Sequence, residues 1–352
     1  MLLLVSLLTA ANAADYSNGE MPALESTLLR LSYDSDNFIT TRDSSLREDG
    51  FSFERWVGFS DEQLVYVAGP NRDLLVNNLL HGYGLFAYTQ GLIRVGLEVP
   101  YYLLNWGGHA NDEAGLGDIA LDAHIVALER ADGPVGLSFG LKSVVPTSTM
   151  DAALGSKGWS GAADAAVDGE VAGIVWAVNA GVEWVPEVAL ESLDWGPRIF
   201  GHVGVSHDYS GEDGVALELF GRRQLTGKGM GGAPAEALLS WRHQFGPEGD
   251  AIRLGLGARL LEGIGSSNMR FVLGWTAGQA FESASCAARC AAEKEGEEAA
   301  PVEEVTEEAP VEEAAAEEGA AEEAPAEGET AEEAPAEGEA AEEAPAEGEA
   351  AE

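Results

Sequence analysis

Arg94, Lys142, Arg222, Arg242, Arg253, Arg259 and Arg270 share one property with Glu98, Asp118, Asp122, Asp168, Glu170, Glu183, Glu218 and Glu236. Each falls, within a β-like segment, on the parity opposite to the large apolar residues. Side chains of a strand project alternately to opposite faces, so these groups gather on one face, with His124, Asn179, His202 and Ser206 among them. If the apolar face meets lipid, the charged face lines an enclosed lumen. Near-balance of charge permits mutual ion pairing, which would close that lumen and leave a structural barrel. It equally permits a small water-filled pore of weak selectivity, because charged rings govern permeation when one sign dominates at the constriction. A polar lining with no specific task is the plainer third reading.

Other chemistry finds little support. His81, His109, His124, His202, His207 and His243 are scattered singly, with no H-x-x-x-H pair to seed a metal site. Gly115-Leu116-Gly117-Asp118 has glycines but no lysine or following helix, so it reads as a strand entry rather than a phosphate cradle. No G-x-S-x-G elbow occurs. The sequence therefore predicts no enzyme, no cofactor and no metal. A barrel hydrolase would need a serine or carboxylate beside a histidine near the rim. Cys286 and Cys290, spaced C-x3-C, suggest an intramolecular disulfide in an exported chain, with free or intermolecular thiols as the alternative.

The elements that must position the charged face are strands. Ile252, Leu254, Leu256 and Leu260 alternate with Arg253, Gly255, Gly257 and Arg259; Met269, Phe271, Leu273 and Trp275 alternate with Arg270, Val272, Gly274 and Thr276. Such alternation recurs over residues 51–276 and predicts about twelve strands, near 51–59, 78–88, 92–104, 116–130, 134–146, 164–172, 174–186, 197–208, 214–224, 233–245, 250–261 and 268–279. An even count suits a transmembrane antiparallel up-and-down barrel with both ends in the periplasm. Asp132-Gly133-Pro134 and Gly211-Glu212-Asp213-Gly214 are tight-turn clusters, whereas the gaps 107–115, 148–161 and 227–232 predict longer loops on the opposite rim. Trp56, Tyr66, Tyr101, Tyr102, Trp106, Trp184, Trp195 and Trp275 are expected in interfacial girdles. A secreted β-sandwich would share the alternation but seldom runs so many strands.

Residues 1–14 carry a short apolar run ending in Ala11-Asn12-Ala13, the pattern of a signal peptide, although no basic residue follows Met1. No later run is long and apolar enough for a membrane helix. Residues 15–50 read as a periplasmic lead-in, 51–280 as the outer-membrane barrel, and 281–290 as a Cys-containing connector. Residues 291–352 hold 25 Glu and one Lys, and so contribute −24 of the net charge of −42. A ten-residue repeat starts there at Ala321, Ala331 and Ala341, with Pro325, Pro335 and Pro345 in register. Such a Glu/Ala/Pro/Gly tail cannot bury enough apolar area to fold and predicts disorder. Placed in the periplasm, it would suit basic partners there. Nucleic acid is excluded as a partner because phosphate binding needs a basic face. Outer-membrane lipid is the expected surroundings of the barrel, and the oligomeric state is left open.

The run from Gly115-Leu116-Gly117-Asp118-Ile119-Ala120-Leu121, Val144-Val145-Pro146-Thr147, Pro234-Ala235-Glu236-Ala237-Leu238-Leu239, Gly257 to Gly265 and Arg270-Phe271-Val272-Leu273-Gly274 resembles the N-terminal barrel of OmpA-family proteins of the myxobacterial type. It resembles more weakly the porins of aromatic-degradation pathways. The first resemblance covers roughly residues 50 to 280 and implies an outer-membrane barrel. The chain departs from that family in lacking a peptidoglycan-binding domain, so cell-wall anchoring does not carry over.

Overall fold

The computed structural model describes residues 27–280, apart from 34, 47–48, 69–70, 107–113, 151–153, 157, 191–192, 226–231 and 246–249; side chains at 64–75, 188–195, 232 and 279–280 are not described. The suggested signal peptide, the two cysteines and the acidic repeats lie outside these residues.

Twelve long strands follow one another: β1 (Gly50–Ala68), β2 (Asn71–Gln90), β3 (Ile93–Trp106), β4 (Ile119–Leu128), β5 (Val135–Val145), β6 (Ser160–Val171), β7 (Ile174–Trp184), β8 (Arg198–Asp208), β9 (Asp213–Gln224), β10 (Gly232–Phe245), β11 (Asp250–Gly263) and β12 (Met269–Ala280). Each pairs antiparallel with its sequence neighbours, and β12 pairs with β1 in the register Gly50↔Ala280 to Asp61↔Met269, which closes the barrel. Closure leaves no unpaired edge, the condition for crossing lipid with strands. A two-residue bridge at Gly115–Leu116 and a small hairpin, Val188–Leu190 with Leu193–Trp195, decorate the loops. Among the described residues the helical content is one 3-10 turn, Arg130–Asp132.

The predicted strands match the observed ones within a few residues, except that β1 and β2 continue past the expected ends into one long hairpin. The connections sort by rim. On one rim, where β1 starts and β12 ends, the turns are short: β6 and β7 join through Ala172 at φ +52° and Gly173 at φ +76°, a primed two-residue turn that matches strand twist. The opposite rim carries the longer 146–159 and 185–197 connections.

Burial is inverted relative to a soluble sheet. Leu121, Ile125, Phe139, Leu141, Val203, Val205, Leu217, Leu219, Leu256, Phe271 and Leu273 are all exposed on the outside, while Asp122, His124, Asp168, His202, Glu218 and Arg253 are buried within. An apolar exterior around a polar interior is the surface of a lipid-embedded barrel. It also excludes the two-sheet sandwich, whose apolar rows would face each other.

The interior is not empty. The sequence reading treats residues 15–50 as a lead-in outside the barrel, whereas in the structure residues 27–46 run through the lumen. Thr27 and Leu28 lie at the long-loop rim, where the Leu28 amide donates to Gly265 O at 3.2 Å. Ser44 lies near the short-turn rim, hydrogen-bonded to Asp168 on β6. Between them the chain folds back once, closed by Ser32 N donating to Ile39 O at 2.8 Å. The physical reason is balance: a narrow polar lumen needs partners for its charges, and this polar, aperiodic segment supplies them.

Candidate functional site: the filled lumen

The wall leaves room for the inner segment by using glycine at inward positions. A Cβ on Gly204 of β8 would sit 2.6 Å from the Phe38 ring, one on Gly96 of β3 would sit 2.8 Å from Tyr33, and one on Gly255 of β11 would lie 3.1 Å from Ile39. Gly136 and Gly140 of β5 likewise face Ser44 and Arg42. An apolar patch fixes the first half of the segment: Leu28, Leu29, Leu31, Tyr33 and Ile39 pack with Trp56, Tyr83, Leu85, Phe220, Leu238 and Val272. Trp56, expected in an interfacial girdle, therefore points inward; its indole donates to Glu54 at 2.7 Å. Trp106 and Trp275 do face outward, 41% and 43% exposed.

The second half of the segment is held by charge. Glu218 on β9, fully buried, accepts the backbone amides of Ile39, Thr40 and Thr41 at 2.8, 2.8 and 2.7 Å and the Thr40 hydroxyl at 2.8 Å. Four donors on one carboxylate are the strong, charge-assisted kind. Arg42 forms a fork with Asp122 on β4, at 3.1 and 2.9 Å, and its Nε reaches Asp164 on β6 at 3.3 Å. Asn179 on β7 grips the Arg42 main chain from both sides, accepting its N–H and donating to its C=O, each at 2.7 Å. Asp168 accepts from Ser44 N and Oγ at 2.9 and 3.0 Å and from Arg130 at 3.1 Å.

Across the lumen the donors are guanidinium groups. Arg222 on β9 donates to Thr27 O and Ile264 O at 3.1 and 2.9 Å. Arg253 on β11 donates to the carbonyls of Ser35 and Phe38, and Arg242 on β10 donates to that of Asp36 while pairing with Asp208 at 2.8 Å. His202 on β8 bonds Thr40 O through Nδ1 at 2.9 Å. Glu183 on β7 pairs with both Arg198 and Arg30, the latter stacked 4.8 Å over the Phe200 ring. Lys142 meets Glu98 at 2.9 Å, and Glu98 also accepts from Tyr33 at 3.2 Å.

The remaining residues of the parity assignment are placed as follows. Glu236 and Arg270 form a bidentate pair at 2.8 and 3.0 Å with both side chains fully buried. Arg94 is buried on β3, Ser206 on β8. Arg259 is partly buried at the long-loop rim and donates to Glu62 O and Ser266 O. Asp118, just before β4, is buried with the inward parity and accepts the amides of Thr147, Ser148 and Ser156, so it ties down the long loop after β5. Glu170 has the inward parity but is exposed, because it stands beside the Ala172-Gly173 turn where the lumen ends. Sequence reasoning missed Glu54, Asp164 and Arg198, which the same parity rule would have found, and the partners Arg30, Tyr33 and Arg42, which no periodic signal marks.

What remains of the lumen is small. A cleft between residues 37–39 and strands β8 to β11, lined by Asn37, Ser206, Ser240, Arg242 and Arg253 among others, reaches toward the short-turn rim. The inner segment and the wall line this cleft together.

No protein-family model matches the chain. No curated protein matches it either. Solved structures do resemble it. The COG4313 outer membrane channel from Pseudomonas putida F1 superposes with a TM-score of 0.56 at 15% identity, over 67% of this chain and 97% of that one. The NanC porin gives 0.46 at 7% identity, over 64% and 99%. OprD from Pseudomonas aeruginosa gives 0.29 at 7% identity, over 68% and 97%. At these identities the first likeness shows the fold, a membrane barrel, and the other two add no weight.

Proposed function

We propose that the protein is an outer-membrane barrel of the passive-pore class, without enzymatic activity, kept closed by residues 27–46. One observation carries the reading: the polar inner wall spends its charges on a segment that is joined to the barrel only through the chain before β1, by hydrogen bonds and ion pairs that water or a solute could replace. The fold likeness to an outer membrane channel supports the compartment; an OmpA-type relationship and a periplasmic acidic tail are parts of the proposal.

Single-channel recording in planar bilayers tests it. The intact chain should be closed for most of the record. Arg42→Glu, which sets a carboxylate against Asp122 and Asp164, should raise the open fraction by about tenfold or more, since like charges at such sites cost several kcal/mol. A folded protein that conducts in neither form would end the pore reading.

The apolar patch around Leu28 to Tyr33 favours a second reading, in which the lumen is permanently plugged and the barrel serves as a structural or interaction protein. Its acidic tail would then engage basic periplasmic partners. Removal of residues 291–352 with unchanged partners in pull-downs would discount that role.

A further inference from the structure

Beside its side-chain contacts, the inner segment is gripped along its main chain. Carbonyl oxygens of Thr27, Ser35, Asp36, Phe38 and Thr40 receive wall donors from Arg222, Arg253, Arg242 and His202. Amides of Ile39, Thr40, Thr41, Arg42 and Ser44 donate to wall acceptors on Glu218, Asn179 and Asp168. Main-chain groups are common to every peptide, so these contacts do not depend on which side chains the segment carries. Asn179 is the clearest case, since it satisfies both the N–H and the C=O of one residue. Guanidinium groups on β9 to β11 meet carbonyls of the segment, and carboxylates on β4, β6, β7 and β9 meet its amides or arginines, so the wall offers a peptide backbone both donors and acceptors.

One side-chain preference is built in. Asp122 and Asp164 both turn to Arg42, and Gly140 leaves the space its guanidinium occupies. Bidentate carboxylate geometry favours arginine over lysine at that point.

We propose that this lumen is a binding site for a polypeptide segment bearing an arginine, and that residues 27–46 occupy it as an intramolecular ligand. The site takes its ligand through main-chain hydrogen bonds, with the arginine seated between Asp122 and Asp164. Peptides of this class are then the solutes that the barrel admits. The inference deepens the pore reading and rests on the segment being displaceable, but binding is measurable whether or not ions flow.

The test uses the folded full-length chain with Arg42→Glu, which loosens the resident segment and leaves every wall residue in place. A fluorescent peptide of residues 35–46 is added and its anisotropy followed. Binding should be saturable. N-methylation of the amides of Ile39, Thr40 and Thr41 should weaken it about tenfold or more, as should Arg42→Ala in the peptide, because each removes hydrogen bonds to buried carboxylates. A peptide in which Phe38, Ile39, Thr40 and that arginine are kept and the other side chains shuffled should bind within about fivefold of the parent, the smaller change expected where side chains add little. If Arg42→Glu does not fold, a protease site placed at position 47 lets the full chain fold first and be cut afterwards, and exchange of the severed segment for labelled peptide gives the same readout. Equal binding of parent and N-methylated peptides, or none by either, overturns the proposal. Conduction without peptide binding would leave the pore and remove this site; peptide binding without conduction would do the reverse.

Discussion

Glu218 makes four hydrogen bonds to the inner segment, and the proposed closed state would turn on it. Its carboxylate sits at no exposure among four donors from Ile39, Thr40 and Thr41, and in Glu218→Gln an amide N–H₂ would meet some of those donors with a like group. Hydrogen bonds to a charged acceptor are worth about 1.5–3 kcal/mol each. Losing the equivalent of one shifts the closed-to-open ratio by roughly tenfold to a hundredfold. Frequent openings in single-channel records of Glu218→Gln, against rare ones in the parent, are the expected outcome; identical records would mean that the inner segment does not control the lumen. Arg270 raises the opposite question, of what holds the barrel itself. It is bonded to Glu236, Ser60 and Ser267, and so ties β12 to β10 and β1 beside the closing seam. Arg270→Ala would leave Glu236 buried without its ionic partner, the Ser267 amide still donating to it. The expected cost is about 3–5 kcal/mol, the usual result of breaking a buried pair on one side, and it would be seen as a lower urea midpoint for unfolding from lipid vesicles.

The strands were largely legible in advance because a lipid-facing strand has to repeat with period two, and β4 to β12 do so almost without interruption. Parity then put Asp122, Asp168, Glu183, Glu218, Arg242, Arg253 and Arg270 on one face, and all are buried there. Parity fails at an element end, which is why Glu170 is exposed: next to the last rungs of a ladder, inward no longer means enclosed. It fails too for Trp56, where an aromatic residue was assigned by type to an interface although its neighbours Arg55 and Val57 have the outward parity. The inner segment was illegible for a deeper reason. Its bonds reach partners from 36 residues away, as between Thr27 and Gln63, to 237 away, as between Leu28 and Gly265, and no local pattern records them. A trace does exist in the wall. Gly96, Gly136, Gly140, Gly204 and Gly255 all point inward, and a lumen meant for water alone has no need of glycine there. The element-scale prediction concerns the outer face. Leu256, 62% exposed near the middle of β11, should cost about 2–4 kcal/mol when changed to Arg if that face meets lipid. In a water-exposed strand the same change would cost within about 0.5 kcal/mol. Unfolding from bilayers distinguishes the two.

For the whole molecule, the salient relation is between the ring of strands and the chain that runs through it. Residues 27–46 pass from the long-loop rim to the short-turn rim before β1 begins, and β12 finishes on that same short-turn rim against β1. A ring with a strand of its own chain inside it resembles a bead on a thread. Thr27 and Ala280 consequently lie at opposite mouths, so the described chain enters the bore at one rim and finishes the wall at the other.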